Sequence, residues 1–236
     1  MKFDTIYSLG SRCQNSDILK QYGYREFSGI FDFMNTKKIS ILNHILKDKF
    51  TELFKDSNNI KIRCDKLTID PETRDKLIYS FRTMNKFYND DLNDMDESIF
   101  PHHDLTSEKD KIHFIRCVDR FHKLKNFNVL FNYTYNTWEN SINLNEIDEM
   151  INTLENVFGF FKYRICFIAL SKHKNSNFCI KKISNKFDVW SLTINDQSFT
   201  GGLFANEIDN LNYLNIINSY DLNKKRITKE DIDILN

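Results

Sequence analysis

The chain has 236 residues, of which 41% are hydrophobic and 14% aromatic, enough apolar surface for a substantial core and too much for a disordered segment. Its 33 Lys and Arg balance 33 Asp and Glu, so no net field draws it toward nucleic acid or an anionic membrane, and no apolar run approaches the roughly 18–20 residues of a membrane span. The five cysteines (Cys13, Cys64, Cys117, Cys166 and Cys179) are odd in number, widely spaced and without a CxxC pair. They argue against a disulfide framework or a cysteine-based metal site, and with an acidic residue in Met1-Lys2-Phe3-Asp4 where a secretory leader is basic, they lead us to expect a soluble, cytoplasmic protein.

The first predicted unit is a strand near Phe3–Leu9, a turn at Gly10 and a helix from about Ser11 to Tyr22, stopped by Gly23. Phe27-Ser28-Gly29-Ile30-Phe31-Asp32-Phe33 follows as an apolar loop. Helical spacing of Ile41, Leu42, Ile45 and Leu46 predicts a helix over Ser40–Leu53, and alternation over Ile60–Cys64 and Lys66–Ile69 predicts a small hairpin. The acidic stretch Asp90–Glu97 lacks the Gly and Glu positions of a calcium loop and reads as solvated. After Phe100-Pro101-His102-His103-Asp104, Thr106 or Ser107 caps a helix that runs to about Leu124 through Ile112, Ile115, Val118 and Phe121.

The second half is more regular. Strands at Asn128–Tyr133 and Tyr163–Leu170 flank an amphipathic helix at Leu144–Phe158, a strand–helix–strand unit of a parallel sheet. Phe178–Ile183 and Phe187–Ile194 predict further strands, and Gly201-Gly202 opens a last long helix around Phe204–Ile217. We therefore expect an α/β fold, a mostly parallel sheet flanked by helices, organised as one domain over residues 1–223 with a mobile tail at 224–236 that holds a short helix from Thr228. Cys117, Cys166 and Cys179 lie in apolar segments and are expected to be buried thiols.

One place couples local structure to reactivity. A thiol in the first turn of a helix sits near the positive end of the macrodipole and beside unpaired N–H groups, which favours its thiolate and supplies oxyanion donors. Cys13 is so placed, with Arg12 as a neighbouring cation and the backbone of Ser11–Gln14 as donors, to which the side chains of Gln14 or Ser8 could add. Such a nucleophile needs a base, and the base an orienting group. Of the six histidines, His44, His113, His122 and His173 fall on helix surfaces, a helix end or a lysine-rich loop. His102 and His103 instead sit between an apolar anchor and a helix start.

Three blocks carry a resemblance: Ser8-Leu9-Gly10-Ser11-Arg12-Cys13-Gln14, then Phe27–Phe33, then Phe100–Asp104. In this order they resemble the DUF1796 family, uncharacterised proteins grouped with papain-like cysteine peptidases, over about the first 130 residues, including Arg116, Arg120 and Phe121 on the helix after the histidines. Two positions depart from the family pattern, Ile30 where Pro is common and Phe33 where Trp is usual, and both keep an apolar wall. The resemblance implies Cys13 as nucleophile, His103 or His102 as base, and Asp104 or Asp32 as the third member. It also raises a papain-like α+β arrangement as the alternative fold. The implied substrate is a peptide or a small molecule with an amide, ester or thioester bond, with no cofactor or metal called for.

Two other readings compete. Leu9-Gly10-Ser11 before a helix could receive an anionic group in a nucleotide- or sugar-handling transferase or binding protein, although GxGxxG and GxxxxGK[ST] are absent. The aromatic run Tyr133-Thr134-Tyr135-Asn136-Thr137-Trp138 could instead serve a noncatalytic interaction module. The sequence is silent on oligomeric state.

Overall fold

The computed structural model describes residues 1–10, 13–36, 38–64, 80–88, 99–137, 143–172, 177–182, 184–195, 199–200, 203–224 and 226–235. A five-stranded sheet organises them. Its strands β1 (Thr5–Ser8), β4 (Val129–Asn136), β5 (Tyr163–Lys172) and β7 (Phe187–Ile194) are mutually parallel, and β6 (Asn177–Lys182) closes the far edge antiparallel to β7. Of the two expected architectures, this is the parallel one. Residues 5–8 pair with 129–132, and Asn132 and Asn136 pair with Cys166 and Leu170.

Helices cover both faces, as parallel strands require. One face carries α1 (Cys13–Gln21) and α5 (Glu207–Asn218), whose Ile18, Leu19, Tyr213, Ile216 and Ile217 form a core with Ile6, Leu130, Ile168 and Leu192. The other carries α2 (Ile39–Lys47), α3 (Glu108–Lys123) and α4 (Leu144–Asn156), packed on Tyr7, Phe131, Tyr133 and Phe167. Between these helices, β2 (Asn59–Cys64) pairs with β3 (Ser80–Asn85). The expected partner at Lys66–Ile69 lies outside the described residues, and the hairpin is wider than alternation suggested.

Three local expectations change. The buried face of α3 is Phe114, Cys117, Arg120 and Phe121, while Ile112 and Ile115 are exposed: the sheet selects the stripe with the larger aromatic payload, one step out of phase with the isoleucines. Cys117 and Cys166 are buried, but Cys179 is exposed because β6 is an edge strand. The tail is tied down rather than loose. Its α6 (Lys229–Asp233) starts at the Thr228 cap, buries Ile232 completely and pairs Asp233 with Arg120 at 3.1 Å, and the preceding chain bonds Phe3 and Asp4 through the Asn223 and Ile227 amides.

A candidate cysteine site at the strand-to-helix turn

β1 ends at Ser8, the chain turns at Gly10, and Cys13 opens α1. Gly10 has φ of +95°, and a Cβ there would stand 2.2 Å from Thr36 Oγ1. Both facts demand glycine: the angle is costly for an L side chain, and the strap carrying Thr36 crosses directly over the turn. Thr36 donates to the Leu9 carbonyl at 3.3 Å, and Tyr133 OH holds the Thr36 carbonyl at 2.6 Å. Ser11 and Arg12 lie outside the described residues, as does the side chain of Cys13.

The remaining predicted donors divide. Gln14 keeps its Nε2 buried beside the helix start, with no hydrogen-bond acceptor among the described residues. Ser8 is buried, and its hydroxyl accepts from Gly10 N at 3.2 Å and Asn15 Nδ2 at 3.1 Å. It belongs to the scaffold of the turn.

The two carboxylates offered as third members are both engaged elsewhere. Asp32 is buried in a 3-10 turn (Ile30–Phe33), accepts from Gly29 N at 2.7 Å and pairs with Arg25 Nη1 at 3.0 Å; Arg25 also reaches Ser16 of α1. Burial raises its pKa to about 6 against the opposing pull of Arg25. The turn needs Gly29, because a Cβ would strike the Tyr7 ring at 2.5 Å, and Tyr7 OH accepts from Ile30 N at 3.0 Å. Asp104 accepts from Thr106 N at 3.0 Å and pairs with Lys61 at 2.6 Å. Its partial burial works against ionisation, but the bonds from Lys61 and Thr106 prevail and hold the carboxyl below its ordinary range. It caps the loop at the entrance to α3.

The histidine segment is held by β3. Thr83 pairs with Phe100 in both directions, at 2.9 and 3.1 Å, and its hydroxyl donates to the His103 carbonyl at 2.8 Å while accepting from Leu105 N at 2.9 Å. The His103 ring is set edge-on against Phe33 and Phe114, with centroids 5.0 and 5.1 Å away, and its Nδ1 lies 3.7 Å from Asp110 Oδ2. Burial lowers its pKa, with Asp110 opposing. His102 is exposed. Asp17, one turn beyond Cys13 on α1, has its carboxyl raised by burial, with Arg25, Lys20 and His102 opposing.

Asp17 and Asp110 went unnoticed in the sequence. Asp17 carries the i, i+4 relation to Cys13, a signal that helical spacing could have supplied; Asp110 gave none beyond its place in the first turn of α3. His113, expected at a solvated position, is partly buried on Phe33, with Nε2 3.7 Å from Cys117 Sγ. Burial pushes the Cys117 thiol up to about 11 and that of Cys166 to about 12, so both are protonated interior groups. In the aromatic run, Tyr133 is wholly buried and Tyr135 packs on the core, which favours core capping; Trp138 lies outside the described residues. His173 and the acidic stretch Asp90–Glu97 lie outside them as well. No described helix is long and apolar enough to cross a membrane.

Comparison with curated proteins and with solved structures returns no match. A family profile does match, over residues 4–174, from the start of β1 through β5 and thus across the Gly10 turn, the Asp32 turn and the histidine segment. The chain belongs to the DUF1796 family, whose description reads "putative papain-like cysteine peptidase".

Proposed function

We propose that the protein is a cysteine-dependent hydrolase of peptide, ester or thioester bonds, with Cys13 as nucleophile and His102 as its base. The observation that supports this is Cys13 at the start of α1, with the turn that holds Phe33 tied to α1 through Asp32, Arg25 and Ser16 and packed by Phe33 against the His103 ring. The imidazole takes the thiol proton, and the thiolate adds to the substrate carbonyl carbon. Backbone N–H groups of the first helical turn, with Gln14 Nε2, receive the developing oxyanion. As the intermediate collapses, the imidazolium returns its proton to the leaving amine, alcohol or thiol, and water then cleaves the acyl thioester with the same imidazole as base. The free state of Cys117, Cys166 and Cys179 fits a reducing, cytoplasmic setting.

A specific observation favours a second assignment of the base: His103 has the better orienting carboxylate, Asp110, beside Nδ1. The pH dependence of iodoacetamide alkylation at Cys13, read by peptide mass spectrometry, separates the two. We expect a thiol that reacts below pH 7 and loses that limb in His102→Ala but retains it in His103→Ala; the reverse identifies His103. A wild-type thiol titrating near the free value of about 8.5 overturns the proposal. Activity on peptide, ester and thioester panels should vanish in Cys13→Ala and fall about 10²–10⁴-fold in the variant lacking the base.

A further inference from the structure

We infer that Asn15 and Tyr213 are positioning residues for the nucleophile, fixing the start of α1 over the ends of β1 and β4. The inference rests on the reading of Cys13 as that nucleophile. Asn15 lies two residues beyond Cys13 and faces the sheet, 3% exposed. Its amide nitrogen is within 3.1 Å of both Ser8 Oγ and the Asn132 carbonyl, which itself accepts from Leu9 N at 2.9 Å. Its amide oxygen accepts from Thr134 Oγ1 at 3.3 Å and from Tyr213 OH. Tyr213 OH also faces Asn132 Oδ1 at 2.7 Å, so a single phenolic proton is shared between two amide oxygens. Burial holds that phenol protonated, as the role of donor requires.

Ile18 and Leu19 of α1 and Ile216 and Ile217 of α5 join one apolar core on this face of the sheet, and apolar packing by itself allows a helix to slide or roll. A buried, mutually satisfied polar network sets one register instead. Through Ser8 it also binds Gly10 N, so the strand end and the first helical turn become one rigid piece. The stabilisation of a thiolate at a helix start decays within the first turn, so small shifts of that piece change the fraction ionised. Tyr213 stands on α5, beyond the 4–174 segment matched to the family, and gives the later part of the chain a direct part in the site.

The test is Cys13 alkylation against pH in the full chain, with Tyr213→Phe compared with Tyr220→Phe. Tyr220 OH bonds Asp188 at 3.1 Å and Trp190 at 2.9 Å in the same core, separated from Asn132 by Cys166, so its loss reports a buried hydroxyl beside the network that does not bond Asn15. We expect both variants to melt within about 8 °C of wild type. Tyr213→Phe alone should raise the Cys13 pKa by about one unit, a tenfold loss of thiolate below both values. Thr134→Val, which removes the other donor to Asn15, should shift it the same way by less, and carries the test if Tyr213→Phe does not fold. An unchanged Cys13 pKa in Tyr213→Phe, or in Thr134→Val where that variant carries the test, overturns the inference, as do equal shifts in Tyr213→Phe and Tyr220→Phe. A wild-type thiol near 8.5 overturns it together with the nucleophile reading, whereas an activated wild-type thiol indifferent to Tyr213→Phe leaves that reading standing.

Discussion

The two sides of the candidate site are held by different means. The thiol side is a strand end and a helix start joined by buried hydrogen bonds, with Asn15, Asn132 and Tyr213 at most 3% exposed. The histidine side is a loop clamped by one threonine hydroxyl, two main-chain bonds to Phe100, ring edges and two carboxylates, with the His103 side chain 28% exposed. Strain or loss of bonding on the first side should cost stability and reactivity together. On the second, reactivity should fall more than stability.

Gly10→Ala should break the thiol side outright. A left-handed φ and a Cβ against Thr36 Oγ1 are imposed at once, for about 3–5 kcal/mol, seen as a fall of roughly 10–20 °C in melting temperature. A stable Gly10→Ala protein with a reactive Cys13 would show that the turn is not under this constraint.

Asp32 offers a pH probe of the same side. Its carboxyl titrates near 3.8 when unfolded and at about 6 when buried, so between these values the folded chain holds a proton that the unfolded chain has released. Stability therefore falls as pH rises from about 4 to 6, by an amount on the order of 3 kcal/mol. Denaturant titrations across that range should show the slope in wild type and lose it in Asp32→Asn; a slope kept in the variant would assign it to another group.

Thr83→Val sharpens the contrast from the histidine side. It removes the clamp on His103 O and Leu105 N at about 1–2 kcal/mol in stability, while kcat/KM should fall at least tenfold with little change in KM. A loss in stability without a loss in rate would place the histidine segment outside the chemistry. The smallest effect belongs to Asp104→Asn. Its pairing is with partly exposed Lys61, so we expect less than about 1 kcal/mol and near-normal turnover. A loss of more than about 100-fold would place Asp104 in the catalytic set.

Much of the thiol side was legible in the chain itself. An apolar run stopped by Gly10 and followed by a periodic stretch has few folded solutions, and strand–helix–strand spacing over 128–170 favours a parallel pair, because a helix running back across the sheet returns the chain to the edge where the first strand began. The histidine side was legible only as a motif. Alternation could not locate β3, since its pairing with β2 depends on main-chain register across an intervening segment of 15 residues. Nor could adjacency show that Asp104 pairs with Lys61 while Asp110, seven residues beyond His103, lies beside it.

Local sequence thus determined the elements, the glycine turn and the position of Cys13 at a helix start, because φ/ψ preference and periodicity act over a few residues. The tertiary structure decided the partners. Asn15 and Tyr213 are 198 residues apart, and neither differs in kind from the chain's other asparagines and tyrosines. Only the stacking of α1 and α5 on one face of the sheet brings those two polar groups into the same dry space, where each must satisfy the other.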